Sequence, residues 1–105
     1  MDPTFLKESV ARAILVDAAL DVYCQKRKQA MEDGQDLDQV GEALWRYCSE
    51  ALRGIELWIC KVYHCGFPPE QADRQFMEDW IQRVGLDSQA PSEIIDRELD
   101  RWRPR

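Results

Sequence analysis

Histidine occurs once in the 105 residues, at His64, which excludes two-histidine metal motifs and any mechanism that needs two imidazoles. The four cysteines, Cys24, Cys48, Cys60 and Cys65, form no Cys-x-x-Cys pair. A Gly-rich phosphate loop and a Gly-x-Ser-x-Gly elbow are both missing, so neither nucleotide cradling nor serine acyl transfer has its usual scaffold. Apolar runs are short: Ala13 to Leu20 is interrupted by Asp17, far from the roughly 20 residues of a membrane span. Strand-type alternation is absent.

Positive charge is also in short supply. Against 14 Lys and Arg stand 20 Asp and Glu, a formal charge of -6. That disfavours direct binding to nucleic acid or to an anionic membrane and favours a partner with a basic surface. The opening Met1-Asp2-Pro3-Thr4 lacks the basic leader and cleavage site of a secretory signal. The expected compartment is the cytoplasm, with reduced thiols.

What is present is a sequence able to bury a core: 45% hydrophobic and 10% aromatic, with four Trp. One helical domain over residues 1–105 is expected. Asp2-Pro3 reads as a helix start. The first helix should run to about Glu32 and break at Asp33-Gly34. Leu6, Val10, Ile14 and Leu20 lie on one side of it, and Leu15, Val16, Ala19, Val22 and Tyr23 fill most of the rest, a pattern expected of a helix with neighbours on several sides.

The second helix, Leu37 to Cys65, is one-faced. At about 100° per residue, Leu37, Val40, Leu44, Trp45, Tyr47, Cys48, Ala51, Leu52, Ile55, Trp58, Ile59, Val62 and Tyr63 share a broad arc. Glu42, Arg46, Ser49, Glu50, Arg53, Lys61 and His64 lie opposite. Gly66 and Pro68-Pro69 end it. A third helix should span Pro69 to Val84, with Ala72, Phe76, Met77, Trp80, Ile81 and Val84 inward. Gly85 is its expected terminator and Leu86 the accompanying apolar contact. A fourth begins near Pro91 with Ile94, Ile95, Leu99 and Trp102. The short linker at Gly34 makes the first two helices an antiparallel αα-hairpin. The fold class is all-α: a small helical bundle of two long antiparallel helices and two shorter C-terminal ones.

Three arrangements could carry chemistry. Asp17 and Asp21, four apart in the most hydrophobic stretch, form a candidate acidic site: two buried carboxylates would raise one pKa toward acid–base work. The bland account puts them on a solvent strip or against Arg74 or Arg83. Cys60 and His64, also four apart, would be half of a zinc site or a thiol–imidazole pair, with Cys65 turned away if the helix continues. Incidental surface residues are the simpler reading, and no metal or cofactor is expected. The segment from Trp80 to Trp102 outlines a helix-turn-helix, but its second helix balances Arg97, Arg101, Arg103 and Arg105 against Glu93, Asp96, Glu98 and Asp100, without the cationic excess of a DNA reader.

The favoured function is non-enzymatic: a helical interaction module (adaptor, regulator, chaperone or inhibitor) that binds another protein through Trp45, Tyr47, Trp58 and Tyr63. A homodimer is an allied expectation. The rivals are an acidic inhibitor that occupies a basic nucleic-acid-binding surface of its target, and an enzyme or metal protein using Asp17 and Asp21 or Cys60 and His64.

Overall fold

The computed structural model describes residues 3–84 and 89–102, with side chains described within 6–79 and 89–102. It contains α1 (Pro3–Glu32), α2 (Leu37–Ile59), a π-turn (Cys60–His64), α3 (Pro69–Val84) and α4 (Pro91–Arg101). Among the described residues there is no strand, and no helix is long and apolar enough to cross a membrane. The expected cap Asp2, the terminator Gly85 with Leu86, Arg103, Arg105, and the side chains of Trp80, Ile81, Arg83 and Val84 lie outside the described residues.

The hairpin forms where local chemistry stops one helix and starts the next. Gly34 takes φ +70°, a left-handed conformation that costs glycine little. This lets Gly34 N–H reach Met31 O and Gln35 N–H reach Ala30 O, the paired closure of a Schellman motif. Two residues later the Asp36 carboxylate accepts the Asp38 amide at 3.0 Å and caps α2. Along the hairpin Lys26 lies over Tyr47, Arg12 reaches Glu56, and His64 reaches Glu8. Residue numbers fall on α2 as they rise on α1, so the two helices are antiparallel.

The core sits along that seam. Ala11, Leu15 and Ala19, one row of α1, face Ala51, Ile55, Trp58 and Ile59 of α2, with Ala72 of α3 and Ile95 of α4 closing it. The alanines let the helix backbones approach, and Trp58 and the isoleucines fill the space between them. The second long helix runs to His64, close to the expected end at Cys65, but its last turn, Cys60–His64, is a π-turn rather than α-helix. Cys65 N–H bonds to Cys60 O, five residues back, and Phe67 N–H bonds to Lys61 O, six back. Gly66, at φ +72°, takes the left-handed position that allows this wide closure.

α4 begins without a cap of its own. Its N-cap residue, Ala90, has no polar side chain, and Pro91 has no N–H to offer. The missing acceptor comes from α3. Asp73, buried, takes the Ser92 amide on Oδ1 at 3.2 Å, the Trp58 indole N–H on the same oxygen at 2.9 Å, and the Ser92 hydroxyl on Oδ2. One carboxylate thus ties α2, α3 and α4 together.

Asp73→Ala strands a buried indole N–H and uncaps α4, so it should destabilise the fold by about 2–4 kcal/mol in urea unfolding. In a double-mutant cycle with Trp58→Phe the combined loss should be smaller than the sum of the two single losses. Additive losses would show that Asp73 and Trp58 act independently.

Candidate functional site

The four aromatics expected to bind a partner do not share one surface. Tyr47 and Trp58 are buried, Tyr63 is half-buried, and Trp45 is 70% exposed. Burial pushes the Tyr47 phenol up to about 12, chiefly because its anion would lose water, and Lys26 Nζ stands 5.7 Å from its ring centre. Trp58 meets Tyr63 edge-on, with ring centres 6.2 Å apart. The middle of the α2 arc is therefore core. Its edge, Trp45 with Leu52, faces solvent.

A second surface, mainly apolar but interrupted by the charges of Asp17 and Arg27, lies on α1. Leu6, Val10, Ala13, Asp17, Leu20, Cys24, Arg27 and Met31 are all exposed. They recur at alternating steps of four and three residues, the spacing of a helix–helix seam. The sequence suggested neighbours on several sides of α1. In the structure α2 and α4 pack along one side, and among the described residues no helix covers this stripe. Periodicity gave away its existence but could not show which apolar row of a nearly all-round helix stays uncovered.

Beside the stripe runs a groove between α1 and α4, lined by Ile14, Val22, Ile94 and Trp102 among others. Its volume is ≈ 1130 Å³, above the range of roughly 300–1,000 Å³ usual for small-molecule pockets. Asp17 and Asp21 lie on one rim and Arg97 and Arg101 belong to the opposite wall. Both aspartates are exposed, and Asp21 accepts a long 3.5 Å hydrogen bond from Gln25. They lie on a solvent strip, and the described cations lining the same groove come from α4 rather than from Arg74, while the Arg83 side chain lies outside the described residues. Trp102, 78% exposed at the end of α4, extends the apolar wall outward.

Cys60 and His64 are separated by the π-turn. His64 Nε2 lies 2.8 Å from Glu8 Oε1 and not against a thiol. Arg12 joins the same cluster: its Nη2 reaches Glu8 Oε1 at 3.2 Å, while Nε and Nη2 grip the two Glu56 oxygens at 2.7 and 3.1 Å. This bidentate pair clamps α1 to α2. The Glu8 carboxyl is held below its ordinary 4.5, first by the hydrogen bond from His64 and further by Arg12, against the opposing effect of burial. Its hydrogen-bonded partners raise the Arg12 pKa in turn, Glu56 most of all. Among the described residues no three His, Cys, Asp or Glu side chains converge to hold a metal ion.

Exposed carboxylates gather near the hairpin turn at Glu32, Asp33, Asp36, Asp38 and Glu42. Several have local partners: Asp36 caps α2, Asp33 accepts from Gln29 at 3.0 Å, and Glu42 pairs with Arg46 at 3.8 Å.

No family model matches the chain, and neither a curated protein nor a solved structure does.

Because folded Glu8 resists protonation more than it would in the unfolded chain, its stabilising effect is present above about pH 4.5 and is lost as pH falls through the lowered folded value. Glu8→Gln should therefore flatten the acid-side decline in stability, read as urea midpoints between about pH 5 and pH 3. An unaltered acid slope would remove the assignment.

Proposed function

We propose that this protein is a non-enzymatic helical interaction module that acts in the cytoplasm by binding another protein through the outer stripe of α1 and the groove beside it. The observation that carries the reading is the row Leu6, Val10, Leu20 and Met31, large apolar side chains exposed on one helix face at coiled-coil spacing. Trp102 and Leu99 of α4 add to the same apolar surplus, and Trp45 and Leu52 of α2 contribute a further patch. The accessible surface of 7698 Å² supports this reading, because it is roughly a quarter above what a compact monomer of 12.3 kDa exposes. The radius of gyration, 15.2 Å, likewise exceeds the roughly 13 Å of a compact chain of this length.

Partner chemistry follows from the same surface. An amphipathic helix laid along α1 would bury its apolar face on the stripe, and a basic flank would suit the carboxylates near the turn. A second copy of the chain is one such partner. The acidic-inhibitor form draws on the net charge alone, and the local partners of the turn carboxylates weaken it. A catalytic role for Asp17 and Asp21 has no buried carboxylate to draw on, and Cys60 lacks the imidazole base it would need.

Leu20→Glu and Val10→Lys place charges on the stripe without touching the core. Each should leave helicity unchanged and weaken association at least tenfold, read by sedimentation for self-association and by affinity capture from the native host for another protein. Arg46→Ala, exposed on α2, is the control and should change neither. Undiminished association in both stripe variants would overturn the proposal, as would a strictly monomeric wild type that captures nothing.

A further inference from the structure

Cys60 and Cys65 mark the two ends of the π-turn, and the turn changes their relation. Along an α-helix, residues five apart point roughly 140° away from each other with Cα atoms about 8.6 Å apart, beyond the ~7 Å limit for a disulfide. Here the Cys60 carbonyl accepts the Cys65 amide at 2.9 Å. That bond gives an i,i+5 pair the separation an i,i+4 pair has in an α-helix, about 6 Å, inside the 4.4–6.8 Å range of native disulfides. Both cysteines are free and exposed, and the Cys65 side chain is close enough to raise the Cys60 pKa. Cys24 sits on the outer stripe of α1 and Cys48 is half-buried on α2. Neither has such a neighbour in its own helix.

We propose that Cys60 and Cys65 form a dithiol redox site whose substrate is a low-molecular-weight disulfide of the glutathione type, and which closes to an intramolecular disulfide across the π-turn. The Cys65 thiolate attacks one sulfur of the small disulfide. A bond forms between Cys65 Sγ and that sulfur, the reagent's S–S bond breaks, and the first small thiolate leaves and takes up a proton. Cys60 then gives its proton to solvent and attacks Cys65 Sγ, expelling the second small thiolate. Two protein thiols are oxidised to one disulfide, and one small disulfide is reduced to two thiols. The order of attack follows the local chemistry. Interaction with the Cys65 side chain, the charge Cys65 would carry, burial and the Glu8 carboxylate all push the Cys60 thiol up, which favours Cys65 as the first attacker.

The test equilibrates the full chain with mixtures of reduced and oxidised glutathione, traps free thiols by alkylation, and maps tryptic peptides without reduction. The expected product joins the peptides Gly54–Lys61 and Val62–Arg74, while Cys24 and Cys48 stay alkylated. Repeating the equilibration in concentrated urea should lower the yield constant of that link at least about tenfold, because the unfolded chain no longer holds the pair together. Cys60→Ser should stop at a mixed disulfide on Cys65. The proposal is overturned if intermolecular dimers or links to Cys24 or Cys48 predominate, if mixed disulfides persist on the wild-type pair, or if the link forms as readily in urea.

Discussion

A single buried carboxylate holds the C-terminal half of this protein in place. Asp73 accepts from the indole of α2 and from both the amide and hydroxyl of Ser92 at the head of α4, and it does so from α3. Burying a carboxylate among apolar side chains is costly unless donors surround it, and here three donors do. The arrangement fixes direction as well as energy. Trp58 seats its ring in the core with its N–H aimed at α3, and α4 starts where its second residue reaches the same oxygen. The groove between α1 and α4, and the exposed end of α4 at Trp102, take their positions from that anchor.

The hairpin half is held differently, by a seam of alanines with larger residues between them and by the Glu8, Arg12, Glu56 and His64 cluster at its open end. Packing of this kind uses one side of a helix. α1 carries apolar residues on more sides than α2 and α4 can cover, and the surplus appears as a stripe at seam spacing. Small, elongated helical proteins face this geometric problem generally: each helix has two or three faces available, and a chain with few helices leaves some of them to solvent or to another molecule.

Much of this architecture was legible before any coordinates. Gly34, Pro69 and Pro91 set helix boundaries through backbone constraints that act locally, and the one-faced pattern from Leu37 onward identified the core of α2. The site was less legible, for physical reasons. Trp58 and Trp45 share one arc by angle, yet Trp58 finds Asp73 fifteen residues away while Trp45 points past the edge of the neighbouring helices. Asp73 gave no local sign, since a lone aspartate in an amphipathic helix reads as solvent-facing. The π-turn was equally hidden. Angular bookkeeping at a constant pitch pairs Cys60 with His64, whereas one wider turn, permitted by Gly66, pairs it with Cys65 and leaves His64 for Glu8.

The antiparallel register also orders events in time. Contacts beside the Gly34 turn, such as Lys26 with Tyr47, close a short loop, whereas the ion pair between Glu8 and His64 spans 56 residues. Loop-closure entropy grows only logarithmically, so the difference between the two ends is on the order of 1 kcal/mol. It is still enough to favour zipping from the turn outward, with the π-turn and its thiols settling against α1 last. The end of the hairpin that bears the cysteines would then be the first part to open and the last to close, and its breathing would set how long the two exposed sulfurs stay side by side.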